Sequence, residues 1–429
     1  MKLDLISRLY SIFKQYPIIC TDSRTCPMDS LFFALKGDNF NANAFALSAL
    51  EKGCRYAIID EAEYKIDDRF ILVDDVLKTL QKLATFHRQQ LSMPIIAITG
   101  TNGKTTTKEL IAIVLKEKYN VLYTQGNLNN HIGVPLTLLK LKHEHEIAVV
   151  EMGANHLGEI KQLCEIARPD YGIITNVGKA HLEGFGSFEG IKKTKAELYD
   201  YIVRNGKLIF INPNNEDLCE MAKNAGVDNK IVKYIDGKIV NSSPFLEMEL
   251  FHSPQEAGLV VRSNLIGVYN AENILASATI AHYFAVSNEQ IKHGLENYIP
   301  QNNRSQFIET EKNKLIVDAY NANPSSMALA IKNFAQVDAA SKFLILGDML
   351  ELGGQSEQEH QNIVDLLQEN KFDNVFFVGK EFAKTNNSYR NFENTADLSE
   401  YIENEQIKNQ YILIKGSRGI KLEQTIEKL

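Results

Sequence analysis

Gly100-Thr101-Asn102-Gly103-Lys104-Thr105-Thr106 carries the residue types a phosphate site needs, in an order that could use them. Glycines let the backbone turn tightly, so that successive N–H groups face phosphate oxygens at a helix N-terminus. Lys104 would neutralise terminal phosphates, and the Thr105 hydroxyl would coordinate Mg²⁺. An apolar run, 95–99, precedes the loop and a helical pattern follows from 104 to about 115, the strand–turn–helix setting the motif requires. A Walker A loop has its first glycine five positions before Gly103, where this chain has Ile98. The first glycine here is Gly100, so the loop is a shortened variant. The plain alternative is an ordinary glycine-rich turn between strand and helix.

Such a loop admits kinases, GTPases, ATP-driven motors and ligases. Asn370-Lys371-Phe372-Asp373 spells a guanine-reading NKxD, but it follows a helical pattern and precedes the strand-like run 375–378. That order is reversed, and no DxxG occurs anywhere, so a coincidental solvated turn explains it better. Composition narrows the partners. Lys and Arg number 46 against 54 Asp and Glu, a net charge of −8, with a pI near 5.8. No general electrostatic grip on nucleic acid is expected from that balance. The cysteines Cys20, Cys26, Cys54, Cys164 and Cys219 have no CxxC spacing, and neither a disulfide framework nor a structural zinc site can be read from them. Asp4, Arg8 and Lys14 interrupt the N-terminal apolar residues, and no run of about 18 apolar residues follows. A cytoplasmic protein with no membrane insertion is expected, and a monomer.

These residues need elements to hold them. The length of 429 residues suggests roughly three domains at about 150 residues each. Residues 1–90 mix short apolar runs (31–35, 56–59, 70–73) with turn residues, and 76–91 has helical spacing. After Pro94, strand-like runs (95–99, 148–152, 172–177, 208–211) alternate with helical segments (160–166, 191–201). This alternation predicts a parallel sheet covered on both faces. From 230 to 265 strands follow one another, which suggests an antiparallel edge, and a helix is expected over 270–284. A polar linker, 300–304, leads to a second alternation: strands at 315–319, 343–346, 375–378 and 412–414, with helices from 325 and over 358–368. A last helix is predicted over 421–429.

The shortened loop resembles the ATP loop of the Mur ligases of bacterial cell-wall synthesis and of folylpolyglutamate synthetases. The resemblance runs on through Asn127-Leu128-Asn129-Asn130-His131-Ile132-Gly133-Val134-Pro135 and Glu151-Met152-Gly153-Ala154. It continues through Thr175-Asn176-Val177-Gly178-Lys179-Ala180-His181 and Lys193-Thr194-Lys195-Ala196-Glu197-Leu198. In the C-terminal half, Asp318-Ala319-Tyr320-Asn321-Ala322-Asn323-Pro324, Leu346-Gly347-Asp348-Met349-Leu350-Glu351-Leu352-Gly353 and Lys415-Gly416-Ser417-Arg418 are most similar to one branch. That branch joins D-Ala-D-Ala to UDP-N-acetylmuramoyl-tripeptide (UDP-MurNAc-tripeptide).

The resemblance implies an α/β chain of three domains. A small N-terminal α/β domain for the UDP-sugar (1–92) would precede a central P-loop parallel-sheet ATPase domain (93–303). A C-terminal Rossmann-like α/β domain (304–429) would close over ATP and bind D-Ala-D-Ala. It implies an ATP-dependent ligase working through an acyl phosphate, with two Mg²⁺ ions. Catalysis would fall to Lys104, Glu151, His181 and Lys195, the last carrying CO₂ as a carbamate. Thr105, Glu151, His181 and Lys195 would hold metal. Gly100 to Thr106, Asn270, Asn273, Arg304 and Asp318 would bind the nucleotide. Ser23, Arg24, Asn130, His131, Tyr320, Asn321 and Asn323 would contact substrates. Read without the resemblance, Lys195 is a solvated helix lysine, His181 a core or surface histidine, and Glu151 the end of a sheet strand. Likewise Asn270 and Asn273 cap a helix, Arg304 is an exposed linker residue, and Ser23-Arg24 belong to an Asx-type turn. Tyr269 stands where the family has a histidine, and the usual glycine before the 31–35 run is missing. The competing readings are another Mur or folylpolyglutamate-type ligase, and a regulatory P-loop NTPase with no ligation product.

Overall fold

The longest apolar runs become strands buried on both faces, and they organise three sheets in which parallel pairing dominates. In the computed structural model, which describes residues 2–180, 182–227, 229–252, 257–301 and 303–429, the first sheet orders Ile19–Cys20, Leu31–Phe33, Tyr56–Ile59 and Phe70–Leu72, all parallel. The helix Val76–Gln89 leaves it toward the centre of the molecule. Its side chains are bonded there, Gln81 Nε2 donating to the His131 carbonyl at 2.9 Å and Arg88 pairing with Asp170 at 3.0 Å.

The central sheet is parallel throughout, in the order Ile231–Lys233, Leu208–Ile211, Tyr171–Ile174, Ile95–Thr99, Ile147–Glu151, Val121–Tyr123. Every residue of Ile95–Thr99 and Ile147–Glu151 is buried, as a sheet covered by helices on both faces requires. The order matters for chemistry. Ile95–Thr99 lies in the middle with Ile147–Glu151 on one side and Tyr171–Ile174 on the other, so three carboxyl ends open side by side. Crevices there are where such sheets bind ligands.

The sequence suggests an antiparallel edge between 230 and 265, but only Ile231–Lys233 joins this sheet, at its edge and in parallel. Asp236–Asn241, Glu247–Phe251 and Leu259–Arg262 pair with one another as a separate antiparallel sheet. In Glu247–Phe251, Met248 and Leu250 are buried and alternate with half-buried residues, which gives that strand one face to bury, and both belong to the apolar cluster that includes helix Asn270–Tyr283.

The C-terminal sheet orders Gln306–Glu309, Lys314–Asp318, Tyr411–Lys415, Lys342–Gly347, Val375–Val378 and Arg390–Phe392. Only the first strand is antiparallel. Helices Pro324–Gln336 and Ser356–Glu369 cover it. The segment expected to be a last α-helix is a 3₁₀ helix, Leu422–Lys428, following Lys421 at φ +62°. Thr425 bonds the Leu422 carbonyl three residues back at 2.8 Å, holding the tighter winding. The NKxD run begins at the C-cap of Ser356–Glu369, with Lys371 at φ +56°. It is a helix-end turn, as read. No helix among the described residues is long and apolar enough to cross a membrane.

Candidate active site

A cavity of about 540 Å³ lies between the carboxyl ends of the central strands and those of the C-terminal sheet. Its floor is the loop 100–106. Gly100 sits at φ +144° and Gly103 at φ +77°, conformations an L side chain resists. Space forbids one as well. A Cβ on Gly100 would stand 2.0 Å from Thr175 Oγ1, and one on Gly103 2.8 Å from Asn273 Oδ1. The loop is tied down from the next strand end. Thr101 N donates to the Asn176 carbonyl at 3.0 Å, Asn102 N to Asn176 Oδ1 at 2.9 Å, and Thr175 Oγ1 to the Asn102 carbonyl at 2.7 Å. Helix Lys104–Lys116 then starts at the loop, aiming its free N-terminal amides at the cavity.

Three ionisable groups of the central sheet converge. Glu151, the last residue of its strand, is 1% exposed. Its Oε1 accepts from Asn129 Nδ2 at 2.8 Å and Thr105 Oγ1 at 3.3 Å, while Oε2 is buried with no hydrogen-bond partner. Lys104 folds back on its own loop, donating to the Gly100 and Thr101 carbonyls at 2.7 and 2.8 Å. Burial is the main force pushing its ammonium down to about 8. Lys195 is buried too, on the inward face of helix Phe188–Asn205, which Ser187 caps. It is not the solvated lysine its neighbours suggest. Lys193 is exposed and Lys192 pairs with Asp217 at 2.5 Å, but Lys195 makes no hydrogen bond or ion pair among the described residues, only a cation–π contact 5.5 Å from the Phe185 ring. Burial first, and then the Lys104 charge, push it down to about 7. The shift favours the neutral amine near neutral pH far more than for a solvated lysine.

The opposite wall comes from the C-terminal sheet. The Arg304 guanidinium lies 3.7 Å over the Tyr320 ring, and its buried Nε has no partner. Arg418 approaches the same ring at 5.6 Å. Asp318, at its strand end, accepts from Lys415 Nζ at 2.5 Å and from Ser305 N at 3.2 Å. Several contacts bridge the walls directly, among them Lys179 N donating to Ser325 Oγ at 3.0 Å. Asn323 Nδ2 donates to Asn102 Oδ1 at 2.8 Å, and Lys179 pairs with Glu359 at 2.8 Å.

The cavity thus gathers Gly100 to Thr106, Glu151, Lys195, Asn270, Asn273, Arg304, Asp318, Asn130, His131, Tyr320, Asn321 and Asn323. Several are already engaged. Asn273 Oδ1 accepts from Thr107 and its Nδ2 donates to Asn270, which bonds the Ile266 carbonyl, so this pair fixes its helix to the loop rather than capping the helix end. Asn130 accepts from Ile132 N and Gly133 N, and Asn323 caps helix Pro324–Gln336, so each also has a local structural task. Tyr269 shares a hydrogen bond with Ser305 at 2.7 Å, bringing its ring to the cavity where an imidazole was the family expectation.

Ser23 and Arg24 do not line this cavity. Arg24 is exposed and held by Asp22 at 2.7 Å, while the Ser23 carbonyl accepts from Lys52 at 2.7 Å. Asp22 Oδ1 also accepts from Arg24 N at 2.9 Å, the Asx turn of the plain reading. His181 lies outside the described residues. Sequence reasoning passed over Asn129, Lys108 and Lys415. Asn129 stood inside a quoted motif. Lys108 is one helical turn after Lys104, and its fully buried Nζ lies 3.7 Å from Glu151 Oε2 and 3.6 Å from Glu109. Lys415 ends a strand, the position that signals a site in parallel sheets.

Comparison with known proteins agrees with this geometry. The family model described as the Mur ligase middle domain matches residues 98–281, and that of the Mur ligase glutamate ligase domain matches 303–418. The chain is 34% identical to the UDP-N-acetylmuramoyl-tripeptide–D-alanyl-D-alanine ligase of Bacillus subtilis, covering 96% of this chain and 92% of that one. A crystal structure of MurF from Acinetobacter baumannii superposes with a TM-score of 0.85 at 33% identity, covering 96% and 92%. The MurF ligase of Thermotoga maritima in complex with ADP gives 0.83 at 26%, covering 96% of each.

Proposed function

The chain belongs to the Mur ligase family, and from that premise we propose that it joins D-Ala-D-Ala to UDP-MurNAc-tripeptide. ATP is consumed and ADP and phosphate are released. The observation that carries this is the cavity itself, where Lys104, Lys195 and Glu151 on one side face Arg304, Asp318 and Lys415 on the other.

A carboxylate is a poor electrophile, and amide formation in water is uphill. Attack of the tripeptide carboxylate on the γ-phosphate gives an acyl phosphate and ADP. The dipeptide amine then attacks the acyl carbon, and phosphate leaves with the C–O electron pair. The first step presses anion against anion, so it needs fixed positive charge in a site shielded from water. Lys104, at the loop, and Arg304, across the cavity, supply it. Arg304 is pre-oriented by its stack on Tyr320. Asp318, its charge offset by Lys415, would meet the ribose hydroxyls, and Asn270 and Asn273, beside the loop, would meet the base. The C-terminal wall excludes water from the reactive phosphate.

The donors fit a hard divalent cation. Glu151 Oε2 is buried without a hydrogen bond, with only the Lys108 ammonium 3.7 Å away, and its other oxygen meets the Thr105 hydroxyl. Mg²⁺ held by Thr105 and Glu151 would add charge that reduces the carboxylate–triphosphate repulsion. Lys195 fits a carbamate, since a neutral amine is what adds CO₂, forming an N–C bond and releasing a proton. The product turns a cation into an oxygen ligand, which with His181 would hold a second Mg²⁺. Residues 1–92 would take the UDP-sugar through Ser23 and Arg24, 93–303 ATP, and 304–429 the dipeptide through Tyr320, Asn321 and Asn323. Asn130 and His131 would meet the tripeptide arm. The chain would work as a cytoplasmic monomer.

Phosphate release tests the reading. It should require UDP-MurNAc-tripeptide and D-Ala-D-Ala together. Full-rate release with ATP alone would instead indicate an NTPase switch, and strong turnover with glutamate and a folate would indicate the folate-type ligase.

A further inference from the structure

Cys20, Cys26 and Cys54 show no metal-binding spacing in the sequence, yet the first sheet folds them together. Their Sγ atoms all lie within 4.8 Å of one another. Cys20 ends strand Ile19–Cys20, Cys26 follows the turn at 21–25, and Cys54 precedes strand Tyr56–Ile59. Strand Leu31–Phe33 separates the two strands, and the thiols meet at their ends. All three are free thiols; Cys20 and Cys54 are buried and Cys26 is half-buried, which leaves a way in. The cluster lies at the border of the apolar core formed by Phe32, Ala34 and Leu50, with a few polar atoms beside the thiols. Ser30 Oγ lies 3.1 Å from Cys54 Sγ, and the Cys20 thiol donates to the Asp22 carbonyl at 3.2 Å. The Cys26 thiol donates to the Ser23 carbonyl at 3.5 Å and to that of Asp22 at 3.9 Å.

We propose that Cys20, Cys26 and Cys54 form a thiolate site for a soft divalent cation of the zinc class. Zinc–sulfur bonds of about 2.3 Å at tetrahedral angles set sulfurs about 3.8 Å apart. The observed cluster needs to contract by about 1 Å at most. Three thiolates leave one tetrahedral position for water or an added ligand. Each thiol gives up its proton to solvent as its sulfur binds, so uptake acidifies an unbuffered solution. Ordinary core cysteines need no such convergence, as Cys164 shows. It is buried beside Met152 Sδ, 3.8 Å away.

The site has a structural consequence. Cys20 and Cys26 bracket Thr21-Asp22-Ser23-Arg24-Thr25, so a bound cation would fasten both ends of that turn to Cys54. Where Ser23 and Arg24 contact the UDP-sugar, which rests on the proposed function, loading would change the KM for UDP-MurNAc-tripeptide. Cation binding itself is measured without substrate, so the two claims fail separately.

The test is an anaerobic titration of the reduced, metal-free full chain with Co²⁺, followed by displacement with Zn²⁺. The site predicts a near-ultraviolet thiolate-to-cobalt absorption that saturates at one ion per chain and is abolished by one equivalent of Zn²⁺. Cys26→Ser, at the half-buried position where folding is least at risk, should weaken binding at least about tenfold. Cys20→Ser should do the same with an unchanged circular dichroism spectrum, and the Cys164→Ser/Cys219→Ser double variant should bind as the parent does. No charge-transfer band, or undiminished affinity in Cys26→Ser and Cys20→Ser, would overturn the proposal. So would air oxidation that joins two of the three as a disulfide while Co²⁺ fails to bind the reduced form.

Discussion

Lys195 is the residue where folding and chemistry pull in opposite directions. An ammonium with no close ion pair among the described residues is costly to bury, and burial, then the Lys104 charge, outweigh the pull of Glu159 and Glu197 and lower its pKa from 10.5 to about 7. The folded form binds fewer protons than the unfolded chain between those values, so stability should rise with pH across that window and stay lowest below about 7. Lys195→Met should therefore unfold at a higher temperature than the parent, by more at pH 6 than at pH 9, while losing nearly all turnover. The same lowered pKa makes CO₂ addition pH-dependent. Neutral amine declines about tenfold per pH unit below 7, so turnover at pH 6 should fall and recover when CO₂ is added. Lys195→Ala and Lys195→Arg should lose activity and show no recovery. Wild-type turnover in either variant would remove the carbamate from the account. Without the resemblance, Lys195 is one of three neighbouring lysines; the helix phase, which turns Lys192 to Asp217 and Lys193 to solvent, sets it apart on physical grounds.

At the scale of elements, the loop is a strand end and a helix start held by two left-handed glycines. Gly103 and Gly126 both have positive φ, at +77° and +56°, but only Gly103 is crowded, by Asn273. Alanine at Gly126 should cost about 1 kcal/mol from conformation alone. Gly103→Ala should cost clearly more and weaken ATP binding, because Asn273 and the helix start must shift; chemical denaturation and nucleotide titration of both variants check this. Equal costs would mean that the Asn273 contact does not constrain the loop. Elements of this kind were legible. Continuous apolar runs such as 95–99 and 208–211 can only be buried strands, and their alternation with amphipathic segments fixes parallel pairing. Less legible was 236–262, where strand periodicity said nothing about which sheet receives it. The 422–428 segment is short enough for side-chain bonding, as at Thr425, to select 3₁₀ over α.

Across the whole molecule, a chain of net charge −8 builds a cavity ringed by Lys104, Lys195, Arg304, Lys415 and Arg418. Global charge said nothing about the ligands. The motifs did, because residues at strand ends share one side of a parallel sheet wherever they fall in sequence. That rule brought Glu151, Asp318 and Lys415 together from far-apart positions. It does not reach turns outside the parallel crevice, which is why Ser23 and Arg24 lie away from the cavity, and why three cysteines without a spacing motif met unannounced. The closure contacts, Asn323 to Asn102 and Lys179 to Glu359, depend on how the sheets face each other and were invisible before folding. The arrangement as a whole makes one chemical claim, that the tripeptide carboxylate is phosphorylated before the amine arrives. The direct test supplies UDP-MurNAc-tripeptide with ¹⁸O at both oxygens of its terminal carboxylate, together with ATP, Mg²⁺ and D-Ala-D-Ala, and weighs the products. One ¹⁸O should appear in the released phosphate for each pentapeptide formed, because the carboxylate oxygen that attacked phosphorus leaves with it. Pentapeptide formed with unlabelled phosphate would contradict the account.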